Sequence, residues 1–236
     1  MIRDLRDWLR TVEAMDELMV VQGAHWDREI GEIAETWGSE AQALLFDRIP
    51  GYPEGFRLLS NALRSPSRIA VTLGLEPTHN KMELVRRVRQ QLAHWQPIEP
   101  QVVKDGPVLE NVLTGDDVDL TLFPAPVWHE HDGGRFLGTG CLTTTVDPDE
   151  GWVNFGAYRV QIHDAKTGGI YITLGKHGRM MLEKYWAKGE ACPVAVSLGH
   201  DPLLFMVAGS EVPYGISEYA YAGGLKGEPI EVVPAP

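Results

Sequence analysis

Cysteine is scarce in this chain of 236 residues: Cys141 and Cys192 are the only two, and both sit in strand-like text. That scarcity argues against a disulfide framework and makes a reducing cytosol the expected compartment. Long apolar runs are missing too. None approaches the roughly 18 residues that a membrane-spanning helix needs, and the longest, residues 203–208, is of core size. The opening Met1-Ile2-Arg3-Asp4-Leu5-Arg6 lacks the apolar stretch of a secretory signal. Positive charge is short, with 21 lysines and arginines against 33 acids and a net charge of −12. A nucleic-acid surface usually shows a basic stripe, so nucleic acid is not an expected partner, and neither is a membrane. The cluster of Arg86, Arg87 and Arg89 reads as the solvated face of a helix. Internal repeats and low-complexity tracts are absent. The length suits one large domain or two small ones.

The first hundred residues alternate helix and strand signals. Leu5, Trp8, Leu9 and Val12 recur at helical spacing, as do Ile30, Ile33, Ala34 and Trp37, where Gly38 is placed to stop the helix. Residues 18–21 read as a short buried strand, and 43–46 and 56–60 as strands around the turn-rich Ile49-Pro50-Gly51-Tyr52-Pro53. Ser65-Pro66 opens a short helix to Leu73. A longer helix is expected from about His79 to Trp95, with Leu84, Val85, Val88 and Leu92 inward. Gln96-Pro97-Ile98-Glu99-Pro100 breaks the pattern and sets the expected boundary between residues 1–100 and 101–236.

Beyond it glycine becomes dense and strand-like runs dominate, at 136–146, 153–162, 170–174, 193–198 and 230–233. Helices are expected at 179–188, ending at Gly189, and at 203–208 after Asp201-Pro202. Short strands with glycine turns suggest a β-barrel or sandwich. The run at 230–233 needs a strand partner, either elsewhere in this chain or outside it.

Four stretches carry polar groups that could do chemistry. His129-Glu130-His131-Asp132 could ligate a metal, but flanking prolines and glycines make it a loop, and polar loops are usually solvated. Asn154 and Arg159 are five apart, which on a regular strand sends them to opposite faces. A bulge at Gly156 would bring them together. Gly175-Lys176-His177-Gly178 joins a strand to a helix N-terminus, a place that favours anions, although such loops are common. Glu218 follows Ser217, a plausible N-cap, and an acid in a first helical turn explains itself.

Taken in order, these pieces resemble the UbiD family of prenylated-FMN-dependent decarboxylases. The resemblance runs through Leu5 to Glu17, Asp27-Arg28-Glu29-Ile30-Gly31, Pro124-Ala125-Pro126-Val127-Trp128-His129 and Asp132-Gly133-Gly134-Arg135. It continues in Gly151-Trp152-Val153-Asn154 with Tyr158-Arg159, Gly175-Lys176-His177-Gly178, Pro193-Val194-Ala195-Val196, Glu218, Ala222-Gly223 and Gly227-Glu228-Pro229. The resemblance implies an α+β fold: a small mixed α/β layer, then an FMN-binding split β-barrel. It implies that Asn154, His177 and Glu218 ligate a divalent ion, manganese or magnesium, bridging to the cofactor phosphate, with K+ nearby. Asn154, Phe155, Gly156, Ala157, Tyr158, Arg159, Lys176, His177 and Gly178 are the cofactor-binding positions so implied. Arg159 matches the catalytic arginine beside the substrate carboxylate.

The activity implied is reversible non-oxidative decarboxylation of aromatic, heteroaromatic or α,β-unsaturated acids, with a small carboxylic acid as substrate. Nothing after Val233 matches the family's acid–base glutamate pair or its C-terminal domain. The expectation is a cofactor-binding portion, inactive alone, whose full-length form is a homo-oligomer or whose missing half is a partner chain. Two rival readings are a non-catalytic flavin-binding subunit and an ordinary split-barrel flavin oxidoreductase.

Overall fold

The computed structural model describes residues 2–38, 42–138 and 140–235. Its N-terminal layer opens with α1 (Leu5–Ala14), capped by the Asp4 side chain on the Asp7 N–H, with Trp8 and Val12 buried. β1 (Leu18–Gln22) runs parallel to β2 (Ala43–Asp47), and α2 (Glu29–Thr36) is the crossover between them. β3 (Leu58–Ser60) completes the sheet antiparallel to β2. β2 is central and buried on both faces. Its Leu44 and Phe46 meet Ile30 and Ala34 of α2. Ala43 meets Trp8, Val12 and Val71 on the other side. β1, expected to be buried, is instead an edge strand, and Val20 is exposed.

α3 (Pro66–Thr72) starts as expected, with the Ser65 hydroxyl accepting from the Arg68 N–H. α4 (Lys81–Leu92) is capped by Asn80 and buries Leu84. Val85 and Leu92, expected inward, are exposed. Only one flank of α4 has something to pack on, the edge where Val88 meets the cluster of Leu73 and Leu225.

Among the described residues the C-terminal half holds three small sheets and three α-helices. β5 (Arg135–Phe136), β8 (Val160–Ile162) and β9 (Gly168–Ile170) form one antiparallel sheet in the order β5-β8-β9. β6 (Leu142–Val146), β7 (Val153–Gly156) and β10 (Ala195–Ser197) form another, in the order β10-β6-β7. The continuous strands expected at 136–146 and 153–162 are therefore each two strands in two different sheets. The strand expected at 170–174 ends at Ile170, and Tyr171 and Leu174 are exposed. Neither sheet closes on itself. The terminal β11 (Glu231–Val232) finds its partner in the chain: it lies parallel to β4 (Gln101–Val102). α5 (His177–Ala187), α6 (Pro202–Ala208) and α7 (Glu218–Lys226) cover these sheets.

One apolar cluster crosses the sequence midpoint, joining Leu73 to Leu142, Phe155, Leu203, Val207, Ala222 and Leu225. The Gln91 side chain donates to both Leu73 O and Leu225 O, so α4 and α7 are also stitched by polar groups. No helix among the described residues is long and apolar enough to cross a membrane.

Candidate functional site

The site begins where the chain leaves one sheet for another. β7 ends at Gly156 because the next turn folds the Tyr158 ring back over it. A Cβ there would stand 2.6 Å from two ring atoms, so only glycine fits. The expected bulge is thus a complete change of sheet, with Ala157, Tyr158 and Arg159 bridging β7 to β8.

Asn154, on β7, is 2 % exposed and lies opposite Thr145 on β6. Its amide nitrogen donates to Glu218 Oε1 at 2.5 Å, and the Phe155 N–H donates to Glu218 Oε2 at 2.9 Å. Ser217 caps α7 as the sequence predicts. Glu218, however, is no solvated first-turn acid: it is 4 % exposed. Burial pushes its carboxyl up from 4.5 to about 7, against the pull of the Phe155 N–H and the Asn154 amide. No cationic side chain pairs with it among the described residues.

The other end of the Asn154 amide is unsatisfied. Its Oδ1 is buried and has no hydrogen-bond partner among the described residues. It looks onto the start of α5, where a Cβ on Gly178 would sit 3.4 Å away and 3.2 Å from the Tyr158 ring. α5 begins at His177, two residues earlier than expected, so His177 and Gly178 stand in its first turn. The His177 ring packs edge-on against Trp152 at 4.9 Å and Tyr214 at 5.8 Å. Burial and the neighbouring Lys176 charge lower its pKa. Burial, with the Glu218 charge adding, raises that of the Tyr158 phenol.

The fold thus gathers Asn154, Phe155, Gly156, Tyr158, Gly178 and Glu218, with His177 adjoining and Lys176 exposed at the helix cap. Arg159 stands apart, exposed, with its guanidinium 4.6 Å above the Phe136 ring. No hydrogen bond or ion pair joins it to the Asn154 cluster among the described residues. Ala157 contributes backbone only, donating to Ala208 O.

Sequence reasoning missed the anchor of α5. Asp147, 3 % exposed, caps the β6–β7 turn by accepting from the Asp149 and Glu150 N–H groups. It also takes the Lys184 ammonium at 2.6 Å. Lys188 pairs with Asp149 at the same distance. The visible signal was the hairpin Asp147-Pro148-Asp149-Glu150 preceding a helix with lysines four apart. The loop at His129 to Asp132 uses its acid locally. Asp132 spends its carboxylate on the Trp128 and His129 N–H groups. No group of three or more histidine, cysteine or acidic side chains is placed to hold a metal among the described residues.

Comparison with known proteins gives first the family. The N-terminal-domain model of 3-octaprenyl-4-hydroxybenzoate carboxy-lyase matches residues 9–88, and the Rift-related-domain model of the same enzyme matches residues 101–236. The chain belongs to the UbiD family. It is 36 % identical over 186 residues to a pyrrole-2-carboxylic acid decarboxylase of Pseudomonas aeruginosa, covering 79 % of this chain and 37 % of that protein. It is 30 % identical over 244 residues to a phenolic acid decarboxylase of Streptomyces sp. (strain D7), covering 99 % of this chain and 50 % of that one. The vanillic acid decarboxylase of Sedimentibacter hydroxybenzoicus, in closed form, superposes with a TM-score of 0.91 at 26 % identity, over 100 % of this chain and 51 % of that one. HmfF from Pelotomaculum thermopropionicum, in complex with prFMN, shares the fold at 22 % identity and a TM-score of 0.87, over 100 % of this chain and 53 % of that one. The chain spans half or less of the length of these curated relatives.

Proposed function

We propose that this chain is the cofactor-binding portion of a UbiD-type decarboxylase, in which Asn154, His177 and Glu218 hold a divalent ion against the phosphate of prenylated FMN. One observation carries the reading: Asn154 Oδ1 is a buried acceptor with no partner. Such groups are rare because leaving them unpaired is costly. Beside it Glu218 is a buried carboxylate without a cation. A single hard cation would satisfy both, and two oxygens with one imidazole suit manganese or magnesium. His177, with its lowered pKa, is held in the neutral form a metal ligand needs. The start of α5, which no side chain caps, favours a phosphate through its helix dipole with Lys176 beside it, and K+ belongs to the same reading.

Arg159 is proposed to engage the substrate carboxylate. Its guanidinium rests on Phe136 by its face, which leaves the N–H fork open to a bidentate partner. The prenylated flavin, when bound, supplies the electron sink for loss of CO2 from an aromatic, heteroaromatic or α,β-unsaturated acid. The chain's share is to grip the phosphate end, orient the flavin and pair with the substrate's charge. The two three-stranded sheets are the proposed walls of a split barrel, since the chain passes between them after Phe136 and again after Gly156. A domain boundary near residues 96–100, and a homo-oligomer or a partner chain in the whole protein, complete the proposal. Family membership and relatives named as decarboxylases support it.

Isothermal titration of the metal-stripped chain with manganese chloride tests it. Asn154→Ala and Glu218→Gln should each weaken binding by about tenfold or more, equivalent to about 1.4 kcal/mol. Unaltered affinity in both variants would sink the assignment.

A further inference from the structure

A large cleft lies away from this cluster, between the N-terminal layer and the sheets of the other half. It encloses about 830 Å3, within the size range of small-molecule pockets, and none of Asn154, His177, Arg159 or Glu218 lines it. Its walls are largely apolar: Leu9, Leu59 and Leu63 from the first half face Leu137, Cys141 and Phe205 from the second. Three arginines, Arg6, Arg57 and Arg64, line its solvent side, and all three are exposed. In a chain of net charge −12, three cations around one cleft stand out. None of them pairs with a carboxylate among the described residues, and Arg64 donates only to the neutral Asn61 Oδ1 at 3.1 Å. The acid that also lines the cleft, Asp4, is occupied in capping α1.

Trp128 Nε1 and His200 Nδ1, on two further side chains of the lining, are buried and have no hydrogen-bond partner among the described residues. Both nitrogens are enclosed by protein rather than open to the cleft, so they form no part of its ligand surface. Burial pushes the His200 imidazole down to about 4, so it is neutral and positive charge is confined to the arginines.

We infer that this interlayer cleft is a second binding site, which takes an apolar monocarboxylate with its hydrocarbon body among the leucines and Phe205 and its carboxylate among Arg6, Arg57 and Arg64. The division of charge carries the inference. Guanidinium groups pair carboxylates bidentately, and an apolar trough behind them rejects small hydrated anions. The site is independent of the metal and phosphate cluster.

Isothermal titration calorimetry with 1-naphthoate, decanoate and neutral 1-naphthamide tests it on the intact chain. Saturable one-to-one binding of at least one acid is expected, with the amide at least tenfold weaker, and the two acids distinguish an aromatic from a straight-chain occupant. The double variant Arg57→Gln, Arg64→Gln alters exposed side chains only. It should keep the wild-type unfolding midpoint and lose at least tenfold in affinity. Ala62→Phe, which fills the cleft, should abolish binding. Glu218→Gln should leave it unchanged, which separates this site from the proposed metal site. Equal affinity for acid and amide, no saturable binding of either acid, or loss in Glu218→Gln with retention in the arginine variant would overturn the inference.

Discussion

Glu17 in the N-terminal layer and Glu218 in the C-terminal half are both withdrawn from water, and the fold treats them in opposite ways. Glu17 faces Arg68, whose Nη1 donates at 2.7 Å, and also takes the Ser65 hydroxyl at 2.7 Å. Burial would raise its pKa, but the Ser65 hydrogen bond and the Arg68 charge outweigh burial and hold it below the ordinary value. Glu218 has an amide and one N–H but no cation, and burial wins. A buried acid with its counter-charge tightens a fold only if both partners stay. A buried acid without one costs stability, and that cost makes sense where a ligand supplies the missing charge. The first half of the chain pairs its withdrawn acid with a cation, and the second holds its own by an amide and a backbone N–H among the described residues.

The sharpest break of this comparison is Arg68→Met. It strands Glu17 and frees Asn61 O and Ala62 O, both of which Arg68 also holds. Loss of about 3–5 kcal/mol is expected by chemical denaturation, the range for a broken buried pair. A loss below about 1 kcal/mol would mean the pair is solvated and the contrast with Glu218 is false.

Next in size is the pH dependence of the metal-free chain. Glu218 has a folded pKa of about 7 against an ordinary 4.5, so between those values the folded state holds a proton that the unfolded state has lost. The Glu218 contribution to stability therefore falls as pH rises through this window, by roughly 3 kcal/mol, while His200, lowered to about 4, contributes in the opposite sense, so the Glu218 part is read as the difference between wild type and Glu218→Gln. Glu218→Gln should remove that slope and match the wild type at pH 4.5. A wild type without the slope, once other carboxylates are subtracted with the variant, would show that the charge is already compensated.

Local signals made the frame legible. Ser65-Pro66, Asp201-Pro202 and Ser217 cap helices where the sequence places them, because a cap bonds to an N–H two or three residues away. The expected bulge at Gly156 that would bring Asn154 and Arg159 together is instead a change of sheet, and it leaves Arg159 over Phe136, apart from Asn154. What stayed hidden depends on distant partners. Glu218 reads as an ordinary first-turn acid because the groups that bury it, Asn154 and Phe155, lie more than sixty residues away. The assignment of β5 and β6, or of β7 and β8, to separate sheets is set by pairings with β10 and β9, which a strand's own residues do not encode. Val85 and Leu92 look inward by spacing but are exposed, because the packed side of α4 is the one that carries Leu84, Val88 and Gln91.

A smaller effect tests how firmly α5 is aimed. Lys184→Met removes the ammonium from Asp147 and should lower the unfolding midpoint only slightly, because water screens a partly exposed lysine. Manganese affinity should fall with it, since the anchor that holds α5 to the β6–β7 hairpin also sets the position of His177. Stability lost with affinity intact would make the pair a fastening of the frame rather than part of the site.

The smallest expected change in stability is the most telling. Gly178 has no need of glycine's backbone freedom, for it sits in the first turn of α5 with no left-handed φ. By propensity alone, Gly178→Ala should stabilise the helix by up to about 1 kcal/mol. Against this, the new methyl meets the Tyr158 ring at 3.2 Å and Asn154 Oδ1 at 3.4 Å, so the ring must give by a few tenths of an ångström. The two effects should nearly cancel, leaving the unfolding midpoint within about 0.5 kcal/mol of wild type. Manganese binding should nevertheless fall about tenfold, about 1.4 kcal/mol, because the methyl occupies the space onto which the unpaired oxygen looks. Calorimetric titration beside a denaturation curve separates the two quantities. A variant that gains the full helix propensity and still binds manganese like the wild type would make Gly178 an accident of packing. It would then return the C-terminal half to the same category as the N-terminal one, a frame whose buried acid merely lacks a partner.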